Sequence, residues 1–358
     1  MNGMSDPLES AFVQHVSAVL SRSGQAVRSL KVAGRNARVG SKIVTLDGGV
    51  AGQFVLKRIP MAVGNWWRDL TGSSDVESVL WNAGITKELP HPLRSVHLDV
   101  SAMESLGEWW VVMRQVEIGS PDDPRFIQTL IDGMAALHAR HWQSESIRRL
   151  PLCRLEGVLA FNALPLIALS ATQDIPSWVP EVQAVPEFET QAHWFDLLTA
   201  PQHSFYVKLW ENRSAWLPRL KSHPGTLTHG DFHRGNFLIQ KDGTVAVVDW
   251  SLAGIAPGCL DAVYFEFMTL WCDARREEMI PALAAERRRL YDEALGRLLK
   301  PVSVESPWEL AWLAAFMQLA SRAGSLQFLS SDPFERDEIM RFLQNRVFRE
   351  AMRITAKL

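Results

Sequence analysis

Apolar residues near the start of the chain recur with the spacing of a helix that has one buried face. Asp6, Pro7 and Glu9 form a capping signature, in which Asp6 is the cap and Pro7 stands in the first turn. The periodic apolar positions that follow are Leu8, Phe12, Val16, Val19 and Leu20. The pattern predicts one amphipathic helix that ends at Gly24.

The pattern then changes to short β-rich runs separated by glycine-containing turns. The runs cover residues 27–32, 42–46 and 53–59, and the turns cover 34–41 and 47–52. Two turns that join three strands predict an antiparallel meander. A helix-prone segment from Ser74 to Asn82, closed by Gly84, and an apolar strand over 108–116 follow. The first third therefore predicts a sheet with one crossing helix.

The remainder of the chain has mainly helical patterning. Asp123 and Pro124 predict the start of a helix that continues to Trp142. Residues 144–216 mix prolines with short apolar clusters, which indicates an irregular helical insertion whose layout the sequence leaves open. The exception is a hairpin over 237–249 with its turn at Asp242 and Gly243.

Composition narrows the class of protein. At about 150 residues per domain, 358 residues make two domains or one large domain in two lobes. A net charge of −3 argues against nucleic-acid and anionic-membrane partners. No apolar run reaches the roughly 18 residues of a membrane span, and the first ten residues lack a signal-peptide pattern. Three widely spaced cysteines form neither a disulfide framework nor a zinc motif, so we expect a cytoplasmic protein, with its oligomeric state open.

The candidate chemistry is concentrated between Leu227 and Asp261. Asp231 and Asn236 flank a tight loop, and the hairpin that follows returns Asp249 towards that loop. Hard divalent cations such as Mg²⁺ prefer carboxylate and amide oxygens, and they need few protein ligands when phosphate supplies the others. The alternative is that these residues are turn formers and a strand-end cap. That alternative explains each residue singly but not their shared spacing.

The motif HGDFHRGN at 229–236, followed by VDW at 248–250, resembles the aminoglycoside phosphotransferase and choline kinase family, relatives of the protein kinases. The resemblance implies an α+β, two-lobed protein-kinase-like fold. Residues 1–113 would form a nucleotide-binding lobe with an antiparallel sheet and a crossing helix, and 114–119 would be the hinge. Residues 120–358 would form a larger, mainly helical lobe with the catalytic loop and acceptor site.

The resemblance also implies an activity and the residues that carry it. Asp231 would orient or deprotonate an acceptor hydroxyl, while Asn236 and Asp249 would hold Mg²⁺ on the phosphates of ATP, with GTP as the alternative donor. His229 would be a structural support, and His233 would fix Asp231 by hydrogen bonding.

Two further supports belong to the same resemblance. Asp261 would cap the next helix and brace the catalytic loop, and His138 corresponds to a recurrent packing histidine.

A phosphoryl-transfer site also needs a cation on the nonreacting phosphates. Lys57, at the end of the third strand, matches the lysine of the kinase fold, and Glu77 is the candidate for its glutamate partner. The alternative for Glu77 is a capping box with Ser74.

The same resemblance implies further contacts with the nucleotide. The segment 34–41 would lie over the phosphates, with Ser41 as a hydrogen-bond donor. Met113 would stand at the back of the adenine pocket, and backbone groups of Arg114 and Val116 would pair with the base edge.

The acceptor is less constrained than the donor. Glu266 and Asp273 lie where a cationic acceptor could contact them, although a solvated face explains them equally well, and Trp271 belongs to an aromatic set that suits a sugar or larger apolar product. We expect a small-molecule kinase that phosphorylates a hydroxyl of an antibiotic or other natural product. The alternatives are a metabolic kinase for a sugar, amino alcohol or amino acid, and a nucleotide-binding pseudokinase.

Overall fold

The computed structural model describes most of the chain in separate stretches. They are residues 7–22, 31–38, 41–49, 52–61, 72, 75–116, 125–169, 198–233, 235–271, 280–300, 305–322 and 333–358. The expected cap at Asp6 and helix end at Gly24 lie outside them, as do the predicted strand residues 27–30, the expected helix start at Asp123 and Pro124, and part of the helical insertion, 170–197. Among the described residues, no helix has the length and apolar content that a membrane span requires.

The N-terminal part is built on a five-stranded antiparallel sheet. In chain order its strands are β1 (Lys31–Arg38), β2 (Ser41–Asp47), β3 (Gln53–Pro60), β5 (His97–Met103) and β6 (Glu108–Arg114). Their order across the sheet is β1-β2-β3-β6-β5. The meander β1-β2-β3 is the predicted one, while β5 is an additional edge strand.

The segment predicted as a long turn over 34–41 is instead mostly strand. Gly34 pairs with Thr45 and Arg38 pairs with Ser41, which leaves only residues 39–40 between β1 and β2. A register shift between Val32 and Gly34 lets the strand continue where sequence patterning predicted its end. The prediction of a glycine-rich loop over the whole segment was therefore wrong.

The two faces of the sheet pack against different partners. Helix α1 (Pro7–Arg22) covers the outer face with Phe12, Val16 and Leu20, which pack against Phe54 and Trp110 of the sheet. The inner face carries alternate residues of the same strands and packs against the rest of the chain.

A small second sheet joins the two halves of the chain. It contains β4 (Leu93–Ser95), β8 (Phe237–Ile239) and β9 (Val245–Val247), in the order β4-β9-β8. The strands β8 and β9 form the predicted hairpin, and β4 pairs with β9 in parallel. Helix α2 (Val76–Asn82) precedes β4 and is the predicted crossing helix.

The remaining described elements are mainly helical. Before the hairpin come α3 (Arg125–Arg140), α4 (Glu145–Arg148), α5 (Leu155–Leu169), α6 (Ala200–Glu211) and α7 (Arg213–Lys221). After it come α8 (Cys259–Glu266), a π-helix (Phe267–Trp271), α9 (Ile280–Leu298), α10 (Trp308–Arg322) and α11 (Pro333–Thr355). The strands β7 (Thr226–Thr228) and β10 (Gly254–Ala256) pair antiparallel. One large core unites these helices, so the α+β expectation is confirmed.

Candidate active site

Lys57 lies between two carboxylates. Its Nζ is 2.8 Å from Glu77 Oε1 and 2.8 Å from Asp249 Oδ1. β3 carries Lys57, α2 carries Glu77, and Asp249 follows β9. The side chains of Lys57 and Glu77 are 10% and 2% exposed, whereas that of Asp249 is 40% exposed. Asp249 therefore stands on the open side of this set.

The contacts at the start of α2 distinguish the two roles predicted for Glu77, the ion pair with Lys57 and the capping box. Asp75 is the N-cap, and its Oδ1 accepts a hydrogen bond from the backbone N–H of Ser78 at 3.2 Å. Since Asp75 supplies the side-chain cap, Glu77 turns its Oε1 to Lys57. Ser74, the cap of the alternative capping box, lies outside the described residues.

Burial and neighbouring charges shift the pKa values of Lys57 and Asp249 in opposite directions. Burial lowers the pKa of Lys57, but attraction to Asp249 and Glu77 outweighs it and holds that pKa above its ordinary value. Burial raises the pKa of Asp249, but attraction to Lys57 and hydrogen bonds from Lys57 and Ser251 hold that pKa well below its usual range. Lys57 and Asp249 are therefore both charged at neutral pH.

Asp231 is held by its own loop between β7 and β8. Its Oδ2 accepts a hydrogen bond from Asn236 Nδ2 at 2.9 Å. On the other side, His233 Nε2 lies 3.3 Å from Asp231 Oδ1. The backbone N–H of Gly235 donates to His233 Nδ1 at 2.9 Å and holds the ring beside Asp231. The hydrogen bond from Asn236 thus orients a carboxylate that is only 4% exposed as a residue.

His229 connects this loop to the end of β9. Its Nε2 donates to the backbone carbonyl of Val248 at 3.0 Å, and its Nδ1 accepts from the N–H of Asp231 at 3.3 Å. Burial lowers the pKa of His229 and outweighs the opposing effect of Asp261 and other carboxylates. The neutral ring also packs 4.7 Å from the ring of Trp250, measured between centroids. The two segments that carry Asp231 and Asp249 are therefore joined.

Asp261 lies in the first turn of α8 and braces the loop. The N-cap of this helix is Gly258, so the expectation that Asp261 caps the helix was wrong. Its Oδ2 accepts from the N–H of His229 at 2.7 Å, and its Oδ1 accepts from the N–H of Gly230 at 3.0 Å. His138 Nε2 lies 3.2 Å from Asp261 Oδ2, and His138 Nδ1 lies 2.8 Å from the Tyr291 hydroxyl. Hydrogen bonds therefore link α9 to the loop through two buried side chains.

Two side-chain oxygens near Asp231 remain for a divalent cation. Lys57 and Ser251 both donate to Asp249 Oδ1 at 2.8 Å, and Asp249 Oδ2 accepts no hydrogen bond from the described residues. Asn236 directs its amide nitrogen to Asp231, which leaves its Oδ1 without a donor in the described part of the chain. The backbone N–H of Val248 donates to the backbone carbonyl of Asn236 at 3.0 Å, so Asn236 and Asp249 flank the open end of the hairpin. An amide and a carboxylate oxygen suit Mg²⁺.

Asn236 and Asp249 alone supply too few ligands for a divalent cation, so a bound compound must supply the others. The described residues contain no group of three His, Cys, Asp or Glu side chains able to hold a metal by themselves. Phosphate oxygens are the usual additional ligands of Mg²⁺ in such sites. The donor set therefore fits a cation that binds together with a phosphate compound.

The structure bears differently on each residue that was expected to contact the nucleotide. Met113 is 8% exposed and lies on the inner face of the sheet. The N–H of Arg114 donates to the Val96 carbonyl at 2.8 Å, so this donor is already used within the protein. Val116 follows β6, and its backbone makes no hydrogen bond with another described residue. Ser41 begins β2, but its side chain lies outside the described part.

The expected acceptor contacts also require a correction. Glu266 is 1% exposed, and its two carboxylate oxygens accept hydrogen bonds of 2.8 Å from Nε and Nη2 of Arg288. Because this pair is complete, Glu266 is not a free carboxylate for a cationic acceptor. Trp271 ends the π-helix, but its side chain lies outside the described residues, as does Asp273.

Comparison with known proteins identifies the family. The model of the phosphotransferase enzyme family matches residues 42–298. The chain belongs to this family. The match spans both the strand that carries Lys57 and the loop and hairpin that carry Asp231, Asn236 and Asp249, and it confirms the resemblance found in the sequence and the class of enzyme. A search of curated protein sequences finds no match to this phosphotransferase.

Solved structures share the fold of this phosphotransferase at low sequence identity. A spectinomycin phosphotransferase in complex with ADP and spectinomycin has a TM-score of 0.54 at 10% identity, covering 96% of this chain and 98% of its own. An amicoumacin kinase in complex with AMP-PNP, Ca²⁺ and its substrate has a TM-score of 0.53 at 12% identity, covering 94% and 96%. A protein assigned as an aminoglycoside phosphotransferase from Ralstonia eutropha JMP134 has a TM-score of 0.52 at 14% identity, covering 95% and 98%.

Sequence reasoning missed three residues of this phosphotransferase site. Ser251 donates to Asp249 and lies two positions after it, so its spacing was a usable signal. Tyr291 contacts the supporting His138, and His97 lies near Lys57; both come from distant elements, and no local pattern marks them.

Proposed function

We propose that this phosphotransferase moves the γ-phosphoryl group of ATP to a hydroxyl of an antibiotic or other small natural product, with Mg²⁺. The observation that carries the proposal is the linked set of Lys57, Asp249, Asn236 and Asp231, joined by hydrogen bonds across the sheet, the hairpin and the loop. The solved structures with ADP or AMP-PNP and a bound antibiotic support it through their shared fold.

Lys57 would balance charge on the nonreacting phosphates of ATP. Its raised pKa keeps it cationic, and Glu77 binds it together with Asp249. In phosphoryl transfer the protein contributes mainly position and electrostatic stabilisation, because charge is spread over the phosphoryl oxygens in the transition state. Asn236 Oδ1 and Asp249 Oδ2 would hold Mg²⁺, which neutralises part of that charge when bound.

Asp231 would orient the acceptor hydroxyl. The acceptor oxygen forms a bond to the γ-phosphorus as the bond from that phosphorus to the β–γ bridging oxygen breaks, and ADP leaves. The hydroxyl proton passes to the Asp231 carboxylate. Asn236 holds this carboxylate by a hydrogen bond and His233 lies beside it, so it is positioned before substrate binds.

The remaining site assignments are part of the same proposal. The base of ATP, or of GTP as the alternative donor, would lie against Met113 and use the backbone of Val116. Residues 1–113 and 120–358 would be the two lobes, with 114–119 as the hinge. We place the enzyme in the cytoplasm, since Cys153 and Cys259 are buried free thiols.

The test is transfer of labelled γ-phosphate from Mg·ATP to pooled aminoglycosides, macrolides, nucleosides, sugars and amino alcohols. We expect wild-type enzyme to label one pool and Asp231→Asn to lose that labelling while it still binds Mg·ATP. Asp132→Asn is the matched control, because that carboxylate is 44% exposed on α3. Labelling of a metabolite pool alone would favour the metabolic kinase. Binding of Mg·ATP without transfer to any pool would favour the pseudokinase.

A further inference from the structure

His97 is a buried residue on the same face of the sheet as Lys57. It pairs with Met113 across β5 and β6, and Met113 pairs with Val55 across β6 and β3. Side chains two positions apart on a strand share a face, so Lys57 stands beside Val55 on the face that His97 occupies. His97 is 8% exposed, and its ring centroid lies 6.5 Å from that of Trp81.

The surroundings of His97 contain polar atoms that the protein does not satisfy. Both ring nitrogens of His97, the Oε2 of Glu77 and the indole Nε1 of Trp250 are buried without a hydrogen-bond partner among the described residues. Buried polar atoms in native proteins nearly always have a partner, which is protein or bound water. Lys57, Asp249 and His229 are all near enough to His97 for their charges to act on its ring, and the His229 ring packs against Trp250, so these side chains belong to one region.

Three observations place these residues next to the Lys57–Asp249 pair. The other oxygen of Glu77 is 2.8 Å from Lys57 Nζ. Trp81 follows Glu77 by one helical turn and therefore shares its face of α2, which is the face that meets His97. Trp250 directly follows Asp249 in the chain.

The charge state of His97 suits a hydrogen-bonding role. Burial and the positive charge of Lys57 lower the pKa of His97 to about 4, against the opposing effect of Asp249. A neutral imidazole has one donor nitrogen and one acceptor nitrogen. It can therefore bind a water that donates to a carboxylate, without adding a second positive charge beside Lys57.

We propose that His97 binds a buried water together with Glu77 Oε2 and Trp250 Nε1, and that His97 is thereby a positioning residue for Lys57. The water donates to Glu77 Oε2 and accepts from His97 or Trp250. This fixes the rotation of the Glu77 carboxylate, and so the place from which Lys57 reaches the phosphates. The inference rests on the proposed use of Lys57 in binding Mg·ATP.

The test compares His97→Phe, which keeps a flat ring but no polar atom, with His97→Asn, which keeps one donor group and one acceptor. We expect His97→Phe to weaken Mg·ATP binding by about tenfold, the effect of one lost buried hydrogen bond. His97→Asn should recover most of that loss. His15→Phe is the matched control, because this histidine belongs to α1 and packs beside Trp110 on the outer face of the sheet. It should bind as the wild type does, and thermal melting verifies that every variant is folded.

A double-mutant cycle distinguishes positioning from a general packing effect. If His97 acts through Glu77, the variant with both Glu77→Gln and His97→Phe binds Mg·ATP no more weakly than Glu77→Gln alone. Additive losses, or equal binding by wild type and His97→Phe, would overturn the inference. If the wild type itself does not bind Mg·ATP, the proposed function fails instead, so the two failures are distinguishable.

Discussion

The substitution Asp261→Asn tests how the catalytic loop is held in place. Asp261 is fully buried, and its two oxygens accept the backbone N–H groups of His229 and Gly230 at 2.7 and 3.0 Å. Asparagine keeps one acceptor oxygen, but its NH₂ group would face the other N–H. The variant therefore loses a charge-assisted hydrogen bond of about 1.5–3 kcal/mol and leaves a buried donor unpaired at about 1–3 kcal/mol. We expect the free energy of unfolding to fall by roughly 3–5 kcal/mol.

Urea unfolding followed by tryptophan fluorescence measures this loss, and phosphoryl transfer measured on the same samples shows its effect on activity. We expect kcat to fall more than Mg·ATP affinity, because His229 and Gly230 directly precede Asp231, whereas Asn236 lies at the start of β8 and Lys57 lies on the sheet. Asp132→Asn should change the free energy of unfolding by less than about 1 kcal/mol, as is typical of exposed pairs. A loss below about 1 kcal/mol for Asp261→Asn would refute the claim that this carboxylate braces the loop.

Three further outcomes follow from the same contacts. In Gly235→Ala the new Cβ would lie 2.6 Å from His233 Cε1, so we expect a displaced ring, a lower kcat and little change in Mg·ATP affinity, measured by steady-state kinetics and calorimetry. Gly296→Ala in α9 meets no atom within 4 Å and should stabilise the protein by about 0.5–1 kcal/mol in thermal melting. The pKa of His97 is about 4 in the folded protein and 6.5 in the unfolded chain, so the unfolded chain binds a proton first as the pH falls. Between pH 6.5 and 4, wild type should therefore lose roughly 3 kcal/mol more of its free energy of unfolding than His97→Phe, measured by urea titration at each pH.

The local part of the site could be predicted from the sequence because short spacing determines it. The hairpin turn at Asp242 and Gly243 forms as expected, and Gly243 has the positive φ of 81° that such a turn uses. That turn returns the chain so that Asp249 follows β9 near the loop of Asp231. Spacing within one hairpin is enough to place these groups.

Contacts between distant segments of the chain could not be predicted from local sequence patterns. The parallel pairing of β4 with β9 joins segments about 150 residues apart, and no local pattern marks it. The Arg288 partner of Glu266 lies on another helix, so patterning alone left Glu266 as a solvated or acceptor-facing residue. Strand β1 continues through a register shift near Gly34. In the sequence a glycine at such a position indicates a break in the strand and not its continuation.

The most direct test of the account is single-turnover transfer of labelled phosphate by wild type and Asp231→Asn to the pool that wild type labels, with Mg·ATP affinity measured on the same samples. We predict that the transfer rate of Asp231→Asn falls by at least about 100-fold, the usual contribution of a positioned acid–base group, while affinity stays within about threefold. Transfer by Asp231→Asn at the wild-type rate would contradict the assignment of Asp231 as the group that orients the acceptor hydroxyl.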